Sequence, residues 1–185
     1  MKKKIITAML FLLLASGASA QRGNKGQHAA SLTYGINANA DNGWTMGLNY
    51  YNYRKTGTMD VSFLYNSYKG EYRNNRADIR NYLLSGGYSQ KLLQNYTRTL
   101  IMYAGANAAI GYTQGNNGNS QLTSGITLKK TEEISYALVP TFRMDIYVSK
   151  NFGFTAQIQD MIFVHSDLMQ PHNTTITIGL KYLIK

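Results

Sequence analysis

Thr174-Thr175-Ile176-Thr177-Ile178-Gly179-Leu180-Lys181-Tyr182-Leu183-Ile184 changes character at almost every residue. Thr174, Ile176, Ile178, Leu180, Tyr182 and Ile184 form one set, and Thr175, Thr177, Gly179 and Lys181 form the other. A period of two belongs to an extended strand, whose side chains point alternately to opposite faces. The first set is broad and apolar. The second is small and polar, with one lysine. Such a strand suits a wall with lipid on one side and a polar interior on the other.

The same pattern recurs towards the N-terminus. Leu32, Tyr34, Ile36 and Ala38 alternate with Thr33, Gly35, Asn37 and Asn39. Trp44, Met46, Leu48 and Tyr50 alternate with Thr45, Gly47, Asn49 and Tyr51. Met59, Val61, Phe63 and Tyr65 oppose Asp60, Ser62, Leu64 and Asn66. A less regular fourth strand falls near 79–90. Leu100 to Tyr112 resumes the alternation, with Tyr103, Gly105, Asn107 and Gly111 on the polar face. Ile134 to Ile146 sets Ser135, Thr141, Arg143 and Asp145 against a large apolar face. Phe152, Phe154, Ala156 and Ile158 oppose Thr155, Gln157 and Gln159. The total is eight strands of about ten residues, which is enough to cross a bilayer when tilted.

The connections alternate in length. Residues 54–57 and 149–151 read as tight turns, whereas 70–78, 114–133 and 165–173 read as long polar loops. Outer-membrane barrels have short periplasmic turns and longer outer loops, so both termini are expected on the periplasmic side. The first outer loop, Asp41-Asn42-Gly43, is short for this pattern. A soluble β-sandwich also alternates, but its outward face should be mostly charged or polar over a large apolar inward face. Here the second face is small Thr, Asn, Gly, Gln and Ser, which fill a barrel interior better. Charged residues make up only 15% of this chain, against 15 Tyr and 17 Gly, and Pro occurs twice. The fold read from these features is an all-β, eight-stranded, antiparallel up-and-down transmembrane barrel of the OmpX or OmpW type.

The N-terminus supplies the route to such a location. Lys2, Lys3 and Lys4 precede an apolar run from Ile5 to Ala15, and Ala18-Ser19-Ala20 closes it with small residues. This is the secretory pattern, and the run is too short for a spanning helix. Cleavage is expected after Ala20. Residues 1–20 then form the signal peptide, 21–28 a periplasmic tail and 29–185 the barrel. Removing twenty of the 185 residues leaves 165, and the formal charge falls from +10 to +7 because three lysines leave and no acid does. The absence of cysteine excludes a lipid anchor on cysteine, disulfides and thiolate metal sites.

An eight-stranded barrel has room inside only for its own side chains. Asp60, Arg143, Asp145 and Lys181 fall on the inner face and are expected to pair there as a structural polar cluster, because an unpaired buried charge is costly. Asp160 falls on the apolar face by simple alternation, so a β-bulge near Gln159 is expected to turn it inward. Tyr50, Tyr53, Tyr65, Tyr68, Tyr96, Tyr112, Tyr147 and Tyr182 stand at strand ends and suit interfacial girdles, with some left over to fill the lumen. His165-Ser166-Asp167 holds the atoms of a hydrolytic triad. Adjacent residues of an extended segment point in different directions, however, and an ordinary polar loop fits better. His172 reads as an isolated loop histidine, and no metal-ligand spacing appears. The basic residues are scattered without aromatic interleaving, which argues against direct nucleic-acid binding. Arg73 and Arg76 in one loop and Lys129 and Lys130 in another are candidate surface contacts for anionic lipopolysaccharide. Neither a cofactor nor a small-molecule substrate is expected.

Several short stretches carry a resemblance. They are Gln21-Arg22 after the signal, Gly86-Gly87-Tyr88-Ser89, Ala109-Ile110-Gly111-Tyr112, and Leu122-Thr123-Ser124-Gly125 followed by Glu133 and Tyr136. The last is His172 with Ile178-Gly179-Leu180-Lys181-Tyr182. In their order and spacing the chain resembles the TraO family of conjugal transfer proteins from conjugative transposons of Bacteroides and relatives. Gly23-Asn24-Lys25-Gly26 stands where a Cys-Leu-Pro-Gly-like stretch is common in that family. The resemblance implies a non-catalytic component of the mating apparatus at the outer membrane, with other transfer-apparatus proteins as partners. The alternative is a general small outer-membrane barrel acting in adhesion, surface defence or uptake of small hydrophobic solutes.

Overall fold

A computed structural model describes residues 25–39, 41–72, 75–120, 130–164, 166, 168 and 171–184. Eight strands follow one another: β1 His28–Asn37, β2 Asp41–Tyr53, β3 Gly57–Tyr72, β4 Asn75–Gln94, β5 Leu100–Gly115, β6 Glu132–Tyr147, β7 Phe152–Phe163 and β8 His172–Ile184. Each pairs antiparallel with its chain neighbour, and β1 pairs with β8 to close the barrel. The two end strands meet over ten residue pairs, from His28↔Ile184 to Asn37↔Thr175. Closure leaves no exposed sheet edge, which is the condition for a sheet to sit in hydrocarbon.

The alternation read from the sequence is the wall itself. Leu32, Ile36, Leu48, Phe63, Leu84, Phe154, Ile178 and Leu180 face outward and stand about half exposed. Thr33, Asn49, Ser62, Ser85, Asn107, Gln157 and Thr177 face inward and are buried. This inverts the arrangement of a soluble domain and matches a barrel that spans a membrane. Inward glycines let the strands approach closely. A Cβ on Gly105 would fall 2.2 Å from the Tyr88 carbonyl oxygen, and one on Gly87 would fall 2.2 Å from that of Ala106.

The lumen is filled in layers. At the end that holds the termini, Tyr51, Tyr53, Ile101, Tyr103 and Tyr147 cluster with Ala29 and Leu183. At the loop end, Leu64, Tyr68, Ile79, Leu83, Val139, Met161 and Phe163 form a second cluster. Tyr53, Tyr68 and Tyr147 are therefore lumen filler and not girdle residues, being at most 5% exposed. Each has the parity of an inward neighbour, and burial of a ring beside other rings outweighs its place near a strand end. Tyr50, Tyr112 and Tyr182 do face outward, and Tyr96 is fully exposed in a turn.

Three expectations change. Residues 70–78 are not a loop: β3 and β4 stay paired through Lys69↔Asp78, Gly70↔Ala77, Glu71↔Arg76 and Tyr72↔Asn75. Backbone pairing continues here although the composition is polar, and Tyr68, Ala77 and Ile79 on the inner face are still buried. Asp160 is not turned inward by a bulge, because the register between β7 and β8 runs unbroken from Phe152↔Tyr182 to Ile162↔His172. His172 lies at the start of β8 and not in a loop. At the other end of the chain, Gly26 N–H donates to the Tyr53 carbonyl and Tyr53 N–H to that of Gln27, so pairing begins within the segment read as a tail.

Candidate functional site

The four inward charges come from three strands. Asp60 is on β3, Arg143 and Asp145 are on β6, and Lys181 is on β8. A small closed barrel brings these strands across one lumen, so residues 83 apart in sequence touch. Arg143 Nη1 donates to Asp60 Oδ2 at 3.1 Å and Nη2 donates to Thr58 Oγ1 at 2.8 Å. Its Nε lies 3.5 Å from Asp145 Oδ1. Lys181 Nζ donates to Asp145 Oδ2 at 2.6 Å, and Thr155 Oγ1 donates to Asp145 Oδ1 at 2.9 Å. The Ser89 hydroxyl donates to Asp60. All four charged residues are at most 3% exposed. Two cations face two anions, so the charges balance, and each of the four makes at least one hydrogen bond within the lumen.

Tyrosines complete the plug. The Arg143 guanidinium lies 4.1 Å from the Tyr51 ring centroid and 4.4 Å from that of Tyr103. Lys181 Nζ lies 3.7 Å from the Tyr51 centroid. A cation over a ring face in a dry site gains from the ring quadrupole. Gln157 Nε2 donates to Tyr51 Oη at 2.6 Å, and the Tyr53 and Tyr147 hydroxyls meet at 2.5 Å. The sequence reading placed Tyr51 and Tyr103 inside, but the contact with the cations needed the fold. Parity was the available signal for Tyr53 and Tyr147, which share the faces of Tyr51 and Asp145.

The other candidates fare differently. Asp160 faces outward and accepts from Thr174 Oγ1 at 3.1 Å, with His172 Nδ1 also at 3.1 Å from its carboxylate. One neighbouring strand, β8, satisfies it without a bulge. His165 and Asp167 lie outside the described residues. Ser166 hydrogen-bonds Glu133, which also accepts from Leu168 N–H. Leu168 is 6% exposed, so this part of the connection is tied down over the β6 end of the mouth. Arg73 and Lys129 lie outside the described residues. Arg76 is on β4, opposite Glu71 in the ladder, and Lys130 is exposed just before β6. Of the four, the structure thus places Arg76 on a strand instead of in a loop and leaves Lys130 in the connection before β6. Among the described residues no cluster of three or more His, Cys, Asp or Glu could hold a metal ion.

A family described as "Conjugative transposon protein TraO" matches residues 20–184. The chain belongs to the TraO family. That match covers every strand of the barrel and places the conjugative transposon context on this fold. No curated protein matches in sequence. Among solved structures, the barrel is similar to Neisserial surface protein A, with a TM-score of 0.62 at 10% identity over 85% of this chain and 97% of that one. It is also similar to Ail, the attachment invasion locus protein of Yersinia pestis, solved in complex with the heparin analogue sucrose octasulfate. The TM-score there is 0.56, at 15% identity over 87% of this chain and 100% of that one. The outer membrane protein OprG of Pseudomonas aeruginosa gives a TM-score of 0.52 at 10% identity over 86% and 96% of the two chains. At these identities the likeness is one of fold.

Proposed function

We propose that this TraO-family chain is a non-catalytic outer-membrane component of a conjugative mating apparatus, acting as a docking and anchoring barrel. The observation that carries this reading is the family match over the whole barrel. The filled lumen supports it in one respect: layers of packed tyrosines, paired ions and apolar side chains leave the work to the rims and connections. In this reading residues 1–20 are a signal peptide cut after Ala20, 21–28 a periplasmic tail and 29–185 the anchored barrel. The lumen cluster is structural, and the partners are other transfer-apparatus proteins and outer-membrane lipid. Arg73, Arg76, Lys129 and Lys130 are the proposed loop-side contacts to lipopolysaccharide. They act through local pairing, because acids such as Glu71, Asp78, Glu132 and Glu133 share that end.

Deleting the gene in a mating-competent donor is expected to lower transfer frequency by orders of magnitude, with recovery by the wild-type copy. Recovery by a copy with the four loop-side cations reversed in charge would remove those residues from the proposal. Unchanged mating after deletion would sink the proposal itself. The second reading is adhesion, which the likeness to a barrel solved with a heparin analogue favours. Loss of surface attachment by the deletion strain with mating intact would select it.

A further inference from the structure

The charge of the barrel is sorted by end. The turns and strand termini at the end that holds the termini carry Lys25, Arg54, Lys55, Lys91, Arg98 and Lys150. No acidic side chain among the described residues stands with them. Of the nine acids in the sequence, Asp60 and Asp145 are sealed in the lumen. Asp41, Glu71, Asp78, Glu132, Glu133 and Asp160 belong to the loop-side halves of their strands, and Asp167 to the β7–β8 connection. The cations are spread round the whole circumference, from β1 through the three turns.

Their depth is set by what surrounds them. Outward-facing Tyr50, Tyr88, Phe152 and Tyr182 ring the same end, with the Phe152 and Tyr182 rings 4.9 Å apart. Aromatic belts mark the membrane–water interface. The turns beyond them, 54–56, 95–99 and 148–151, are only three to five residues long. Arg54 lies back along the wall, with Nη2 3.4 Å from Sδ of the outward Met59. Arg54 thus lies level with the aromatic ring, and the short turns keep Lys55, Arg98 and Lys150 within a few residues of it, while Lys91 stands at the lumen mouth opposite Tyr103.

Two apolar grooves open on the outer wall just inside this rim. One, of about 400 Å³, is lined by Met144, Ile146, Phe154, Ala156, Ile178 and Leu180. The Ile146↔Phe154 pair that floors it is followed by one more ladder pair, Tyr147↔Gly153, before the turn bearing Lys150. The other, of about 200 Å³, is lined by Leu93, Asn95, Leu100 and Met102, on either side of the turn bearing Arg98. Each groove pairs an apolar slot for a chain with a cation for a phosphate.

We propose that this rim binds anionic glycerophospholipids of the leaflet at the terminus side, with the phosphate at the ring of Lys and Arg and an acyl chain in the grooves. A cation spaced round a whole rim meets annular lipid at every sector, whereas a protein partner would need one projecting patch. Surface attraction of this kind decays within a Debye length and fades with salt.

The test uses the mature chain in phosphatidylcholine vesicles containing spin-labelled phosphatidylglycerol or spin-labelled phosphatidylcholine. Electron paramagnetic resonance then reads the relative affinity of the two lipids for the barrel surface. The expected result is an approximately two- to five-fold preference for phosphatidylglycerol that falls towards one in 0.5 M salt. The variant R54Q/K55Q/K91Q/K150Q is expected to lose it. The loop-side variant K69Q/R80Q/K130Q is expected to keep it. Filling the larger groove with A156W is expected to reduce it while the heat-modifiable shift of a folded barrel persists. No preference in the wild type, or a preference that survives in the rim variant, overturns the proposal. So does binding of soluble polyglutamate to the embedded wild type without lipid selectivity, which would assign the rim to an acidic protein.

Discussion

Asp145 and Asp160 are carboxylates that face opposite sides of the same wall. Asp145 is fully buried and balances Lys181 and Arg143. Asp160 is about a third exposed and pairs with an exposed His172. Asp145→Asn leaves two buried cations sharing only Asp60, and breaking a buried pair of this kind typically costs about 3–5 kcal/mol. Asp160→Leu removes a solvated pair and is expected to cost no more than about 1 kcal/mol. Urea unfolding of the two variants in detergent micelles should separate them clearly; equal midpoints would show that the lumen cluster contributes no stability. Parity alone put Asp60, Arg143, Asp145 and Lys181 on the inner face. It could not say that Asp145 would join β6 to β8, because that contact depends on how far the barrel wraps.

At the scale of the element, strand existence was legible because alternation is a local property. Strand ends were not. β3 and β4 reach 16 and 20 residues, well past the length a bilayer needs, and their outer ends mix charged residues with a few inward apolar ones. Nothing in residues 70–78 alternates, so composition reads as loop while backbone pairing continues. Close approach between strands was hidden as well. Gly105→Val is expected to prevent closure, because its Cβ would meet the backbone of β4 at 2.2 Å. The check is heat-modifiable migration on refolding: the wild type should shift and the variant should not. A folded G105V barrel would mean that the wall can bend away.

At the scale of the whole molecule, the lumen holds a tyrosine layer, a neutral ion cluster and an apolar cluster in series. In planar bilayers the protein is therefore expected to show no steady single-channel current. A stable open conductance would refute a plugged lumen. The net positive charge, which the sequence presents as scattered bases, is collected at one rim only when the chain is folded.

The sequence by itself determined the strand period, the outward and inward faces and the even strand number, because each follows from neighbours along the chain. Its likeness to TraO was legible from ordered short stretches. Only the tertiary structure decided which inward charges pair, which tyrosines fill the lumen, where the β3–β4 hairpin stops and that Asp160 is met by β8. Those outcomes depend on contacts between residues tens of positions apart, and closing the sheet is what brings them within reach.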